Sequence, residues 1–359
     1  MKGLEIKMKK NQLHDQSLFV KISELLQSAR QSVVRSVNQT MVYTYYEIGK
    51  MIVEDEQQGK ERAEYGKKVL KELSEKLTKE FGKGFSVQNL ENMRKFYQIY
   101  AVDSDFGSNS GISKKSQSLI RISGNSNNNL SWTHYLVLIR IENKEERSFY
   151  EIESLNNNWS VRELKRNFNS ALYERLALSR NKEGLRQLAE KGQIIEKPLD
   201  ILKDPYILEF LNLPEKYEYS ESELETEIIN KLEYFLLELG KGFTFVARQF
   251  RMTIDEKHFK ADLVFFNRLL KCFVIIDLKI GELTHQDLGQ MQMYVNYHDR
   301  FVKLSDENKT IGIVLCKQKS NVLVEITLPQ DNEQIFTSQY KTILPDKQAF
   351  IRLLQDSDS

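Results

Sequence analysis

The stretch FKADLVFFNRLLKCFVIIDLKIGELTHQDLGQMQMY, residues 259–294, decides the fold of this chain. Its pattern predicts a strand, a tight turn, a second strand and then a helix. Asp262 falls on the first predicted strand, Asp277 and Lys279 on the second, and Gln290 and Tyr294 on the helix. Carboxylates are costly to place in apolar strands. The pattern therefore indicates either a half-buried sheet with an acidic edge or a magnesium-dependent catalytic centre.

Length and composition limit the class of protein. The 359 residues are enough for two domains, and an apolar fraction of 40% is typical of a globular chain. Cys272 and Cys316 both lie in apolar, strand-like runs, which favours buried thiols in a reducing compartment over disulfides or a zinc site. No apolar run approaches the roughly 18 residues of a membrane span, and the N-terminus lacks a signal core. We expect a soluble, cytoplasmic protein that does not enter a membrane.

The charge is distributed unevenly along the chain. Residues 1–180 hold 29 Lys and Arg against 22 Asp and Glu, a balance of +7, and residues 181–359 hold 23 against 29, a balance of −6. The basic half could meet a polyanion and the acidic half could hold divalent cations. Imbalances of this size are also common in proteins with neither property.

The first half of the chain is predicted to be helical. Apolar residues recur at helical spacing over 18–37, 40–58 and 66–81, and Gly82 and Gly84 predict the end of the third helix. Ser86 is the predicted N-cap of a further helix, which gives the outline of a helix-turn-helix. Residues 1–180 are therefore predicted to form a helical domain, with a flexible loop at 103–131. Residues 181–215 are predicted to be a linker.

The second domain is predicted over residues 216–359 and belongs to the α/β class. A helix at 220–239 is followed by strand candidates at 243–250, 261–266, 272–279, 311–316 and 322–328, with a helix at 284–303. This order predicts a mixed sheet flanked by helices.

The candidate site lies on these predicted elements. Asp277 and Lys279 are two positions apart on a strand and share a face. Flanking carboxylates can hold a hard cation, which acidifies water and neutralises phosphate charge, and a nearby lysine can orient that water. Glu225 lies within the apolar stripe of the 220–239 helix, where an inward carboxylate usually has a partner or a metal. The alternative is an Asp–Lys pair at an exposed strand end.

Two further pairs carry weaker signals. Gln290 and Tyr294, at i and i+4, share one helical face, although an ordinary polar flank would show the same spacing. Arg248 and Gln249 close a strand and could contact phosphate.

These positions resemble the PD-(D/E)xK nuclease superfamily, including the QxxxY helix of its RecB-like members. The segments FLLELGKGFTFVARQF, IDLKIGELTHQDLGQMQMY and NKTIGIVLCKQKS are similar to the YhcG-like family of predicted nucleases. The N-terminal half resembles that family too, through RAEYGKKVLKELSEKLTKEFGKGFSVQNLENMRKFY and LSWTHYLVLIR. The resemblance spans about residues 17–350. It implies a restriction-endonuclease-like fold for the C-terminal domain and DNA binding for the N-terminal one.

The sequence departs from the family pattern at two positions. Ala261 stands where the signature has Pro, and Asp277 stands where it usually has Glu, which is one methylene longer. A second resemblance links residues 130–168 to the helix-turn-helix region of the ParB partition family. It implies that Arg162, Lys165 and Arg166 lie near DNA phosphates, whereas the plain alternative is a helical packing domain.

Together these observations predict a Mg²⁺- or Mn²⁺-dependent deoxyribonuclease. Asp262, Asp277 and Glu225 would form the acidic metal site, and Lys279 would position or activate the attacking water. Gln290 and Tyr294 would steer the DNA strand or support Lys279. The competing hypothesis is an inactive nuclease fold that binds DNA or docks a partner. An RNA substrate and a homodimer are left open by the sequence.

Overall fold

The computed structural model describes residues 2–58, 63–102, 130–178, 182–213 and 219–357. The chain divides into two compact units, residues 1–147 with 151–164, and residues 148–150 with 165–359. This division differs from the predicted boundaries because residues from the expected linker, among them Tyr206 and Ile207, are buried in the second unit. The predicted loop at 103–131 lies, except for its last two residues, outside the described residues.

The first unit is built of helices. They are α1 (Lys2–Gln58), α2 (Ala63–Phe81), α3 (Val87–Val102), α4 (Trp132–Leu138), α5 (Lys144–Asn156) and the start of α6 (Val161–Asn169). A small core joins α1, α2 and α3 through Ile52, Leu70, Leu90 and Met93.

Glycine allows α1 and α3 to approach each other closely. A Cβ atom at Gly49 on α1 would lie only 2.1 Å from the carbonyl oxygen of Met93 on α3. The two helices therefore touch backbone to backbone at a position that tolerates no side chain.

Several predicted helix ends are confirmed. Gly82 follows α2 with a φ of 82°, a left-handed conformation that suits glycine. The backbone N–H of Asn89 donates to Ser86 Oγ at 3.3 Å. Ser160 and Glu163 form the predicted capping box of α6. The two helices predicted over 18–37 and 40–58 are instead one continuous helix, α1.

A six-stranded mixed sheet forms the centre of the second unit. Its strands are β1 (Tyr206–Ile207), β2 (Phe243–Ile254), β3 (Lys257–Asn267), β4 (Cys272–Glu282), β5 (Ile311–Gln318) and β6 (Ile335–Lys341). The spatial order is β1-β6-β5-β4-β3-β2. Strands β2, β3 and β4 pair antiparallel, and β4, β5, β6 and β1 pair parallel. The prediction of a mixed sheet flanked by helices is confirmed.

Helices flank this sheet. After α6 come α7 (Leu172–Leu178), α8 (Lys182–Lys191), α9 (Glu221–Asn230), α10 (Leu232–Leu239), α11 (His285–Phe301), α12 (Asn321–Thr327) and α13 (Lys347–Ser357). Short 3₁₀ turns occur at Pro198–Ile201 and Glu209–Leu211.

The two faces of the sheet bury alternate residues of each strand, as a pleated strand requires. On β4, Val274, Ile276 and Leu278 pack with α9 and α10, while Ile275 packs with α11. Gly312 on β5 allows α11 to approach, because a Cβ atom there would lie 2.5 Å from Met291 Sδ. Helix α11, which carries Gln290 and Tyr294, is thereby held against the strands.

Two predicted elements differ in the structure. Residues 322–328, predicted as a strand from their alternating apolar pattern, form helix α12, whose N-cap Ser320 accepts the Leu323 N–H. The predicted helix at 220–239 is interrupted at Lys231, whose Nζ donates to the carbonyls of Phe210 and Leu211. Those bonds hold the side chain of the residue at which α9 ends and α10 begins.

A buried ion pair anchors the edge of the sheet. Arg175 on α7 donates to Glu238 on α10 at 2.6 Å, and both side chains are buried. Burial alone would raise the pKa of Glu238, but Arg175, Lys203 and Arg166 lower it to about 2. The same carboxylate accepts the N–H of Ile207 on β1.

Within the parts of the chain that the structure describes, no helix combines the length and apolar character needed to cross a membrane.

Candidate active site

Strands β3 and β4 separate where the predicted carboxylates lie. Their antiparallel pairing ends at Leu263 opposite Ile276. Beyond that point the backbone N–H of Leu278 donates to Asp262 Oδ2 at 2.9 Å instead of to a strand neighbour. Asp277, which follows Ile276, lies on the same face as Asp262. The divergence of the strands therefore opens a site that the two carboxylates share.

Asp262 and Asp277 are hard to ionise together. Burial and the neighbouring Asp277 carboxylate raise the pKa of Asp262 to about 7, against the lowering effect of the Leu278 N–H. Burial also raises the pKa of Asp277, against the lowering effect of Lys279. The two groups titrate as a pair. Such a pair is a place where a cation would be stabilised.

One oxygen of this pair has an unfilled bonding position. Asp277 is buried, and its Oδ2 accepts no hydrogen bond from any described residue. Lys279 Nζ lies 3.1 Å from that oxygen, but outside hydrogen-bonding geometry. A buried carboxylate oxygen of this kind is costly unless a further positive group approaches it.

Lys279 is surrounded by carboxylates. Besides Asp277, its Nζ lies 3.6 Å from Glu221 on α9 and 3.9 Å from Asp287 on α11. Burial would lower the pKa of Lys279, but these three carboxylates outweigh it and raise the pKa. Asp287 is fixed in turn because its Oδ2 accepts the N–H of Thr284, the N-cap of α11. The three carboxylates therefore keep Lys279 protonated and fix the position of its ammonium group.

Glu225 is buried on α9 and already bound by protein groups. Arg248 Nε donates to one carboxylate oxygen at 2.7 Å, and Gln249 Nε2 donates to the other at 2.6 Å. Gln249 Nε2 also lies 3.2 Å from Asp262 Oδ1. Gln249 has a φ of 49°, which a non-glycine residue adopts at some cost and which is frequent at functional sites. This amide links Glu225 to the Asp262 carboxylate.

Gln290 and Tyr294 form a chain that ends on strand β3. Gln290 Nε2 donates to the Tyr294 hydroxyl at 2.6 Å, and that hydroxyl donates to the Lys260 carbonyl at 2.8 Å. Burial and the Asp277 carboxylate raise the pKa of Tyr294 to about 12. The pair thus holds the backbone two residues before Asp262.

The structure brings most of the predicted residues into one site, and their predicted roles stay predictions. Arg248 and Gln249 face Glu225, although Arg248 keeps 40% of its side chain exposed. Two residues omitted from the predicted set, Glu221 and Asp287, approach Lys279. Their signals were present in the sequence: Glu221 lies one turn before Glu225, and Asp287 is three residues after Thr284 in a capping box.

The basic residues predicted for DNA contact on α6 are in different environments. Arg162 and Lys165 are exposed. Arg166 forms ion pairs with Glu209 at 3.0 Å and with Glu238 at 3.3 Å, and only 15% of its side chain is exposed. The predicted phosphate contact of Arg166 stays a prediction; in this structure its guanidinium pairs with these two carboxylates.

The carboxylate oxygens of this site are suited to binding a small, hard cation. They do not form a closed site in which the protein supplies every metal ligand. Among the described residues, no three His, Cys, Asp or Glu side chains are grouped so that they could hold a metal. The predicted three-carboxylate site stays a prediction; in this structure Arg248 and Gln249 bind Glu225. Mg²⁺, however, commonly uses one or two protein carboxylates and completes its shell with water and substrate phosphate. Asp262 and Asp277, with an unfilled oxygen, fit that requirement.

Comparison with known proteins identifies the class. Residues 199–355 match the YhcG PDDEXK nuclease domain, and residues 21–175 match the DUF1016 N-terminal domain. The mixed sheet thus belongs to a PDDEXK nuclease domain.

The whole chain has a curated relative. Over 348 residues it is 40% identical to "Putative nuclease YhcG" of Escherichia coli (strain K12), across 94% of this chain and 91% of that protein. The chain belongs to the YhcG family of nucleases.

Two solved structures show weaker similarity. One is a repair endonuclease from Pyrococcus abyssi, with a TM-score of 0.25 and 16% identity over 36% of this chain and 50% of that chain. The other is EndoMS in apo form, with a TM-score of 0.23 and 17% identity over 36% of this chain and 48% of that chain.

Proposed function

We propose that this chain hydrolyses phosphodiester bonds in DNA with the help of Mg²⁺, or of Mn²⁺ in its place. The observation that carries the proposal is the pair Asp262 and Asp277, which share one opening beside Lys279. The two carboxylates lie close together and are largely shielded from solvent, so they repel each other when both are ionised. A bound cation would relieve that repulsion.

Asp262 and Asp277 are the residues proposed to hold the ion. When bound, a divalent ion supplies charge neutralisation on the phosphate and acidifies the attacking water. Lys279 would orient the water and stabilise negative charge on the phosphate as an ammonium group. It is not proposed as the proton acceptor, because its three carboxylate neighbours favour the protonated form.

Glu225 is proposed to act through the residues it holds. It fixes Gln249 against Asp262 and positions the half-exposed Arg248 guanidinium. Arg248 would contact a phosphate of the bound strand, since a guanidinium can pair with a carboxylate and a phosphate on different edges. Gln290 and Tyr294 would keep β3, and hence Asp262, in place.

The helical N-terminal region, residues 1–180, is proposed to bind DNA. The excess of seven positive charges over residues 1–180 and the exposed Arg162 and Lys165 support this role. A cytoplasmic location remains part of the proposal, and the buried thiols Cys272 and Cys316 are compatible with it.

One observation favours the competing function, an inactive nuclease fold that binds DNA or a partner. Glu225 is engaged by Arg248 and Gln249, so the site lacks a third free carboxylate. A cleavage panel separates the two functions. Purified protein would be incubated with plasmid, linear and branched DNA and with matched RNA, in Mg²⁺, Mn²⁺ or EDTA.

We expect wild type to cleave DNA in a metal-dependent way. The variants Asp277→Ala and Lys279→Ala should abolish this cleavage. The matched controls Asp306→Ala and Lys257→Ala change exposed residues outside the site and should cut like wild type. DNA binding without cleavage in any metal would support the inactive fold. Cleavage of RNA alone would replace DNA as the substrate.

A further inference from the structure

The first part of α1 carries a long apolar stripe that faces solvent. At 100° per residue, eight apolar residues of positions 18–37 fall within an arc of about 120°. The seven large side chains are 47–70% exposed. We call this set the α1 stripe; its members are Leu18, Phe19, Ile22, Leu25, Leu26, Ala29, Val33 and Val37.

The first unit packs its own core against a different side of the same helix. Val42, Tyr46 and Ile52 on α1 are buried. By the same rotation they lie about 120° to 160° around the helix from the middle of the α1 stripe. The face of α1 that meets α3 therefore cannot cover the stripe.

The exposed area is large enough for a stable interface. The exposed fractions correspond to about 750 Å² of surface, close to the roughly 800 Å² that each partner contributes to a standard interface. Contiguous apolar patches above a few hundred Å² commonly mark interaction sites.

The spacing of the stripe points to a second copy as its partner. Six members, Leu18, Ile22, Leu26, Ala29, Val33 and Val37, are separated by 4, 4, 3, 4 and 4 residues, a series that reads the same in both directions. A two-fold axis between residues 27 and 28 places Leu18 opposite Val37, Ile22 opposite Val33 and Leu26 opposite Ala29. Each pair combines a larger side chain with a smaller one, as close helix packing favours.

Charges are compatible with this antiparallel pairing. In the same register Lys21 falls opposite Val34, Arg30 opposite Leu25 and Arg35 opposite Val20. The basic side chains of one copy therefore do not directly oppose those of the other. We infer that the chain forms a two-fold symmetric dimer in which the α1 stripes of two copies pack antiparallel, an arrangement that uses one surface patch twice.

The dimer is tested on the full chain by sedimentation equilibrium. Wild type should give a mass of about 84 kDa, twice the 42.2 kDa of one chain. Val33→Glu, within the stripe, should weaken the dimer dissociation constant at least tenfold. Val34→Glu is the matched control, because Val34 is the next residue, 58% exposed, and lies outside the arc. Its mass should remain that of a dimer.

The register is tested separately by disulfide trapping. The double variant Leu18→Cys/Val37→Cys should form a cross-linked dimer under mild oxidation, and the single variant Leu18→Cys should not. A monomeric wild type, equal loss of dimer in both valine variants, or cross-linking of the single variant would overturn the inference. Circular dichroism of each variant excludes a general loss of helix, and the trapping result does not depend on the glutamate variants.

Discussion

Lys279 Nζ lies 3.1 Å from Asp277 Oδ2, two positions away on the same strand and off the line of a hydrogen bond. Glu221 and Asp287 add carboxylates at 3.6 and 3.9 Å. The lysine is thus fixed as a cation beside an oxygen with an unfilled bonding position. This arrangement makes the site sensitive to pH through its carboxylates rather than through its lysine.

Mg²⁺ affinity is expected to rise with pH around neutrality. The pKa of Asp262 is raised to about 7 by burial and by Asp277, and a cation must displace the proton that the pair retains below that value. Isothermal titration calorimetry should show binding about tenfold weaker at pH 6 than at pH 8. Asp262→Asn should lose most binding at both pH values. An affinity that is flat across this range would contradict the shared site.

Asp262→Asn is expected to stabilise the metal-free protein at pH 8. The folded state holds the Asp262 proton more tightly than the unfolded state does, so stability falls as pH rises from about 4 to about 7. The gain should be about 2 kcal/mol, roughly half the unscreened value because Asp262 is only partly buried. Calorimetry in EDTA at pH 4 and pH 8 measures it. At pH 4 the difference should nearly vanish, and a variant less stable than wild type at pH 8 would contradict this electrostatic account.

Tyr294→Phe is expected to reduce cleavage with only a small loss of stability. The change removes the hydroxyl that donates to Lys260 O and receives from Gln290. Loss of this bond should cost about 1 kcal/mol of unfolding free energy. Cleavage should fall about tenfold, because Asp262 loses support for its backbone. Gln290→Ala leaves the Lys260 bond intact, so it should cost less stability. Equal stability loss in the two variants would show that the Lys260 bond is unimportant.

Two helical glycines should respond in opposite directions to alanine. Gly49→Ala places a methyl group 2.1 Å from Met93 O and should cost about 2 kcal/mol or more. Gly289 on α11 has open space at its Cβ position, so Gly289→Ala should stabilise by about 1 kcal/mol. Thermal unfolding of the full chain distinguishes them. A neutral Gly49→Ala would show that α1 and α3 do not touch backbone to backbone.

Much of the nuclease domain could be predicted from local pattern. The β3–turn–β4–α11 unit was predictable because alternation, capping residues and helical spacing all agree over residues 259–294. Residues 322–328 were mispredicted because Val322, Val324 and Ile326 alternate like a strand. Only the Ser320 cap and the helix's packing reveal α12. Strand β1 has only two residues and no periodicity to detect.

The sequence could suggest which residues belong to the candidate site, but it could not show which side chains contact one another. Spacing alone placed Asp277 and Lys279 on one face and Glu225 on a buried stripe. It could not show that Arg248 and Gln249 would reach Glu225, since these bonds join residues 23 and 24 positions apart in sequence. Nor could it show that Arg166 would be neutralised by Glu209 and Glu238, which are 43 and 72 residues away in sequence.

Metal-dependent cleavage of labelled DNA under single-turnover conditions tests the central claim most directly. Wild type and Lys279→Ala would be compared in Mg²⁺ at pH 8, with Lys257→Ala as the matched lysine control and Mg²⁺ binding measured on each protein. We predict that wild type and Lys257→Ala cut DNA and that Lys279→Ala still binds Mg²⁺ but cuts at least 100-fold more slowly, a loss of about 2.7 kcal/mol or more in transition-state stabilisation. Equal cleavage by wild type and Lys279→Ala would contradict the proposed site.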